Sequence, residues 1–497
     1  MASGNHRIRT DLGGTVHDAA HDPTRSRTVV RLVHLSDLHV VDVASPARAE
    51  WVELLGEDPR WRPLLHMHRP YEALTHWALA AHVDAIHRDP TAPWSGEAYD
   101  LALSTGDNID NAQRNELDAY LAIMAGGRAQ LRASGGPQDP DGGLDAGTTR
   151  PPATADPWPF WCPIPGVVDT WKPLGYPAVE DYFERVDAPL RSPGVGIPWA
   201  SLPGNHDLMR QGTSLTNQRL ETIAVGPSKS LQRPLGFLPD DPGTMFVDAP
   251  ERFSCGPMRP VPSDPDRRAI DLSEWFDAHV AAGALGDDGD RVRDTGAGCG
   301  DKIIDIGDVR IVVLDTNHPD GDYQGSIGTA QVAWLDERLA EVDAEPGRYA
   351  IVASHHGSAS LDNVRGGRSD RLLGDALLDV VHRHPCAIAW LVGHRHIHRI
   401  EPRPGAAGGF WEITTGSIID WPSQVRAVEV VEHADGSIEI VTTLLDHGAS
   451  AGSLGALHRD VAHRFAGPNA AAMAGAPGDG DARLVLPVRT AVGRRSP

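Results

Sequence analysis

Residues 28–40 read TVVRLVHLSDLHV, β-branched and apolar up to Leu35 and then polar at Asp37 and His39. Such a run is a buried strand whose carboxyl end presents two metal-capable side chains. The same construction returns four times. YDLALS runs into TGDNIDN at Asp107, and IPWASLP runs into GNHD at Asn205 and His206. YAIVAS leads to His355 and His356, and the apolar run Ala387–Val392 leads to GHRHIH at His394, His396 and His398. Each block alone is weak, since D-x-H recurs at Asp277 and His279. Together, always behind a β-type run, they point to one centre at strand ends. Imidazole, carboxylate and amide oxygen without sulfur suit Mn, Fe, Co, Ni or Zn. On an extended strand end alternate residues face the same way, so Asp37 with His39, and His394 with His396, are expected to reach one site.

Around these strands the chain alternates with helical patterns. Apolar spacing predicts a helix within 69–88, ending before Pro90, and further helices over TAQVAWLDERLAEV and LLGDALLDVVHRH. Two strands turn at a Gly-Asp within 301–319. WEITTGSII and a hairpin turned at Asp435-Gly436 read as a further antiparallel sheet. Residues 125–200 and 208–300 lose the periodicity, the first crowded with Gly, Pro and Asp, and read as insertions. Because they flank GNHD, they are expected to wall the site and restrict it to small substrates. Trp158, Trp161 and Trp171 either pack a lid over a base or form ordinary core. The organisation expected is a polar arm over 1–30, a catalytic domain over 31–450 carrying the insertions, and an extension over 451–497.

With 68 acidic and 45 basic residues the formal net charge is −23, which repels a polyphosphate backbone and argues against an extended nucleic-acid footprint. No apolar stretch reaches the roughly 18 residues of a membrane span. The first thirty residues hold no apolar leader core, so the cytoplasm is the expected compartment. Cys162, Cys255, Cys299 and Cys386 form no C-x-x-C, against a thiolate zinc site or a disulfide framework.

The blocks DLH, GDNID, GNHD, SHH and GHRH, in that order between residues 37 and 396, resemble the calcineurin-like metallophosphoesterase superfamily. The resemblance implies an α/β fold, two mixed β-sheets packed as a sandwich flanked by helices. It implies two transition-metal ions, with Mn, Fe or Zn foremost, one held by Asp37, His39 and His396 and the other by Asn205, His355 and His394. Asp107 would bridge them. Such a pair of cations clamps a phosphoryl oxygen and lowers the pKa of a shared water. His206 would protonate the leaving oxygen or stabilise phosphoryl charge, Asp207 would orient it, and Asp110 would act from behind the ligands. His355 rather than His356 matches the family's single histidine. GDNIDNAQ lacks the Arg-Gly of protein Ser/Thr phosphatases, and GNHD ends in Asp where those enzymes have Glu, which favours the phosphodiesterase-like branch.

The reading is therefore a phosphodiesterase acting on a small or nucleotide-derived phosphoester. A phosphomonoesterase of a small metabolite or lipid headgroup, and a binding protein that keeps the fold without catalysis, are the alternatives. His398 has no place in the block and is expected at the surface or behind the ligands, with a substrate contact as the alternative. His66 and His68 share the ligand spacing, but no buried strand precedes them and they are expected to be structural.

Overall fold

Alternation along the strands decides the architecture. In β2 (Ser26–Leu35) Val30 and Leu32 face one way and Val33 and Leu35 the other, and all four are buried. A strand apolar on both faces needs cover on both faces, and it lies here between a second sheet and a layer of helices. The computed structural model describes residues 6–17, 26–141, 157–285 and 300–488.

The first sheet combines β1 (Arg7–Arg9), β2, β3 (Leu101–Ser104), β4 (Trp199–Ser201), β11 (Gln424–His433), β12 (Ile438–Asp446) and β13 (Ala482–Leu486) in the order β1-β13-β12-β11-β2-β3-β4. The second combines β5 (Lys302–Ile306), β6 (Val309–Leu314), β7 (Tyr349–Ser354), β8 (Ala387–Val392), β9 (Arg399–Arg403) and β10 (Phe410–Thr414) in the order β9-β10-β8-β7-β6-β5. Both are mixed: β2, β3 and β4 run parallel, as do β6, β7, β8 and β10, while their neighbours are antiparallel. Val30, Leu32, Leu103, Ile311, Val313, Ile351 and Leu391 share the core between the sheets. Helices α1 (Thr75–Arg88), α2 (Arg114–Ala125) and α3 (Leu272–Ala281) cover the outer face of the first sheet, and α4 (Thr329–Asp343) and α5 (Gly374–Arg383) that of the second. The expected sandwich of two mixed sheets flanked by helices is the fold observed.

Several expectations need correcting. Both terminal segments, placed outside the catalytic domain by their composition, supply strands to the first sheet: β1 pairs with β13, and β13 with β12. The strand read from WEITTGSII and the hairpin at Asp435-Gly436 do not share a sheet. β10 pairs with β8, whereas β11 pairs with β2, and the chain crosses between the sheets over residues 415–423. The second insertion contains α3, whose start is capped by Asp271 accepting from Glu274 N–H at 2.8 Å, a legible signal in DLSEW. His279 of the D-x-H decoy lies on this helix, its Nδ1 2.7 Å from the Trp275 carbonyl.

In the first insertion Trp161, Tyr176 and Tyr182 share a core with Tyr71, Leu74, Ile419 and Val461, and the Trp158, Trp161 and Trp171 indoles donate to the carbonyls of Pro137, Pro177 and Pro159. Cys162, Cys255 and Cys386 are free thiols, and Cys299 lies outside the described residues. Among the described residues no helix is long and apolar enough to cross a membrane.

Candidate metal centre

All five motif blocks meet at the carboxyl ends of β2, β3, β4, β7 and β8. Extended alternation is not what aims them. Asp37, His39, His394 and His396 lie beyond the strands, and among the described residues five of the ten non-glycine residues with positive φ are Asp37 (52°), His39 (44°), Asp107 (50°), His394 (67°) and His396 (54°). A left-handed backbone costs an ordinary residue about 1–2 kcal/mol. Such strain persists where the surroundings over-determine the conformation, and it gathers at functional sites. Here the loop after β2 is laced to the loop after β3, with Asp37 N–H donating to Gly106 O (3.0 Å) and His39 N–H to Asp107 O (2.9 Å).

GNHD does not end a strand either. Asn205–Leu208 is a single helical turn after Gly204, and its His206 N–H donates to Asp107 Oδ1 at 2.8 Å. A side chain on Gly204 would put Cβ 2.2 Å from Asp107 Oδ1, and one on Gly393 would put it 1.9 Å from Ser36 Oγ. The motif glycines are therefore there for close approach.

Within this frame each of four imidazoles has one nitrogen held by a neighbouring oxygen. His39 Nδ1 lies 3.0 Å from Asp110 Oδ1, and His396 Nδ1 lies 2.7 Å from Asp420 Oδ2. His355 Nδ1 lies 2.7 Å from the Thr105 carbonyl, and His394 Nε2 lies 3.0 Å from Gln324 Oε1. An imidazole that donates from one nitrogen offers a lone pair at the other. His39 Nε2 and His396 Nε2 accordingly face each other at 3.4 Å, with Asp37 Oδ1 3.1 Å from the latter and Asp107 Oδ2 3.7 Å from the former. His355 Nε2 faces Asp107 Oδ2 at 3.2 Å and Asn205 Oδ1 at 3.0 Å.

Acceptors turned on one another in a buried space call for cations. Asp37, His39, Asp107 and His396 bring ligand atoms within 4.8 Å of one another, as do His355, His356 and His394. This donor set fits the transition metals that the sequence implied, with no sulfur donor among these side chains. His356 is less suited than His355, because its Nδ1 meets Thr316 Oγ1 (2.9 Å) and its Nε2 the Tyr323 carbonyl (3.0 Å).

The electrostatics agree. Burial alone would raise the Asp37 and Asp107 carboxyls, but His396 beside the first and His355 beside the second hold both below the ordinary range. Burial pulls the imidazoles down; against it, Asp107 lifts His355 to about 9 and Asp37 lifts His396 to about 9. His206 is also held above its usual value, as Asp107 and the hydrogen bond to Asp110 outweigh burial.

Asp207 lies elsewhere than expected, and the partners of Asp110 and His398 are now visible. Asp207 does not touch the His206 ring; it ties the loops, accepting from Gly204 N–H (2.8 Å), Asn108 N–H (3.2 Å) and the Trp275 indole (3.3 Å). Burial and the nearby Asp107 carboxylate push it up to about 7. Asp110 lies against His206 instead, with Oδ1 3.0 Å from Nδ1, and is itself gripped by the buried Arg48. His398 is buried, its Nδ1 accepting from Gly416 N–H (3.0 Å) and Arg426 (3.2 Å). His68 pairs with Glu72 at 3.1 Å, while the His66 side chain lies outside the described residues.

Sequence reasoning missed Arg48, Asp420 and Gln324. Asp420 sits on the crossover between the sheets, clamped by Arg69 (3.0 and 2.9 Å) and Tyr71 (2.8 Å), and no local pattern in GSIIDWP marks it.

Above the centre lies a cavity of about 450 Å³. Its floor includes His39, Asp107, Asn205, His206, His394 and His396. Its walls are not the insertions: they are Arg62, Pro63 and Arg69 on one side, Tyr323, Gln324 and Arg395 on the other. The second insertion acts from behind, since its Phe237, Phe246 and Phe253 pack under Trp61 and Leu64.

The D-x-H, G-D-x-x-D, G-N-H-D, H and G-H-x-H blocks are thus gathered at one end of the strands of a two-sheet sandwich. No protein-family model matches the chain. The chain is 36% identical over 101 residues to a probable cyclic nucleotide phosphodiesterase of Synechococcus sp. (strain WH7803), an alignment covering 19% of this chain and 36% of the relative. It thus spans little more than a third of that relative's length.

Similar solved structures include a dimetal phosphatase from Danio rerio (12% identity, 85% of this chain and 97% of that one, TM-score 0.41). They also include the Thermus thermophilus sulfate thiohydrolase SoxB (12% identity, 88% and 60%, TM-score 0.31) and a 5'-nucleotidase from Candida albicans (10% identity, 93% and 59%, TM-score 0.29).

Proposed function

We propose that this protein hydrolyses phosphoesters of small or nucleotide-derived molecules, diesters in preference to monoesters. Asp37, His39 and His396 would hold one transition-metal ion, Asn205, His355 and His394 a second, with Asp107 between them. The observation that carries the reading is the inward-turned set of imidazole nitrogens and carboxylate oxygens, each imidazole held at one nitrogen by a neighbouring oxygen and left with the other suited to a cation. When bound, the ions supply Lewis-acid stabilisation of phosphoryl charge and a nucleophile at neutral pH.

The chain's own groups do the rest. His206 has Nδ1 against Asp110, leaving Nε2 for the substrate, and the carboxylates around it outweigh burial and hold its pKa above the ordinary imidazole value, the direction that favours a donor to the leaving oxygen. Asp110 orients both this ring and His39. The likeness to the Synechococcus protein, a probable cyclic nucleotide phosphodiesterase, supports the diester preference.

The test is metal analysis of the purified protein with Mn-dependent turnover of bis(p-nitrophenyl) phosphate and p-nitrophenyl phosphate. The expected result is a pair of ions per chain and faster diester cleavage. Faster monoester cleavage would reverse the preference, and a protein without metal or turnover would end the proposal.

A further inference from the structure

The cavity wall holds two arginines, Arg62 and Arg395, beyond the groups assigned to the scissile phosphoryl. That wall follows from the 3-10 helix Pro59–Met67, where a repeat of three residues per turn stacks every third side chain. Trp61, Leu64 and Met67 are all buried, in one cluster with Phe237, Phe246 and Phe253. Fixing that face fixes the next, and Arg62 is thereby presented to the cavity, exposed. Arg395 enters from the opposite wall, at the variable position of G-H-x-H between two proposed ligands, and is exposed as well.

Arg69, the third guanidinium of this cavity, is clamped on Asp420. Arg62 and Arg395 differ: neither side chain makes an ion pair or hydrogen bond among the described residues. In a chain of net charge −23, with carboxylates abundant, two unpaired guanidiniums over the proposed metals are a feature to explain. A single phosphoryl group would be matched by the metal centre and His206. These two arginines then remain for something else negative, and the planar guanidinium fork suits phosphate and carboxylate.

We propose that Arg62 and Arg395 form a subsite for a second anionic group of the substrate, a phosphate or carboxylate on the part of the molecule beyond the scissile phosphoryl. This rests on the metallophosphoesterase reading of the floor and narrows it. The substrate class becomes small phosphoesters with two anionic groups, in which a cyclic mononucleotide, with one, is not included. The negative field of the rest of the chain makes the pair a local attractor at the mouth of the cavity.

The experiment compares glycerol 3-phosphate, which has one anionic group, with 3-phosphoglycerate and 2,3-bisphosphoglycerate, which add a carboxylate and a further phosphate. Dissociation constants are measured by calorimetry on Mn-loaded protein, and the same compounds serve as inhibitors of bis(p-nitrophenyl) phosphate cleavage. Wild type should bind the multiply charged compounds more tightly than glycerol 3-phosphate. In the Arg62→Gln, Arg395→Gln double variant that ratio should collapse by about tenfold or more. Arg128→Gln, an exposed arginine outside the cavity, serves as control and should keep the wild-type ratio.

A carboxylate advantage lost without a phosphate advantage, or the reverse, identifies which anion the subsite takes. An unchanged ratio in the double variant, or an equal loss for all three compounds, overturns the subsite, the latter being general attraction only. Binding and catalysis separate the two proposals: a ratio that collapses in calorimetry while no diester is cleaved supports the subsite and rejects the hydrolase reading.

Discussion

The two halves of the candidate centre are supported by different chemistry. Around Asp37, His39 and His396 the rings lean on buried carboxylates, Asp110 and Asp420, which are in turn held by Arg48 and Arg69. Around Asn205, His355 and His394 they lean on neutral oxygens, the Thr105 carbonyl and the Gln324 amide. A carboxylate behind an imidazole raises its basicity and fixes its orientation more strongly than an amide does. The first half should therefore be the tighter and more rigid, and the second, backed by neutral oxygens alone, the more exchangeable.

The largest effect should come from the residue the halves share. Asp107→Ala should remove nearly all activity and deplete both ions, read by metal analysis beside the rate; loss of one ion only would mean that Asp107 belongs to one half.

Next, His206→Ala should keep both ions and lose about 10²–10⁴-fold on a diester with a poor leaving group, and much less with a good one. Equal losses for the two leaving groups would exclude the proton-donor role.

The comparison itself is sharpened by Asp420→Asn and Gln324→Leu. The first should weaken one metal by about 10–100-fold. The second should weaken the other by less, and equal effects in metal titration would erase the distinction drawn here.

The smallest effect is a pH dependence common to both halves. In the metal-free protein His355 and His396 are each raised to about 9, so their contribution to stability is fully present below about 6.5, their unfolded value, and is lost as pH rises through about 9. The melting temperature of chelator-treated protein should fall between about pH 7 and pH 9, and that of metal-loaded protein should fall less, because the ions take the protons' place.

Much of this was readable in the chain. The strands ending at Leu35, Ser354 and Val392, the Gly-Asp turn between β5 and β6 and the hairpin at Gly436 are local patterns, and local patterns survive in sequence because periodicity and turn chemistry act over a few residues. The candidate ligands were legible for the same reason, each motif being a short block behind an apolar run.

What was not legible is whatever depends on distant parts of the chain meeting. Asp420 backs His396 only because the chain crosses between sheets at that point, and the terminal segments enter the first sheet only because β12 offers β13 an edge and β13 offers one to β1. The cavity walls fell to residues 62–69 and 323–324, while the insertions that flank GNHD in sequence pack elsewhere.

The sequence by itself determined which side chains are candidates for the chemistry and that they follow apolar strands, because residue type and apolar period are written locally. Only the tertiary structure decided how they face one another. Asp37, His39, Asp107, His394 and His396 are held with left-handed backbone that no propensity favours, and the hydrogen bonds between the loops after β2 and β3 oppose that strain.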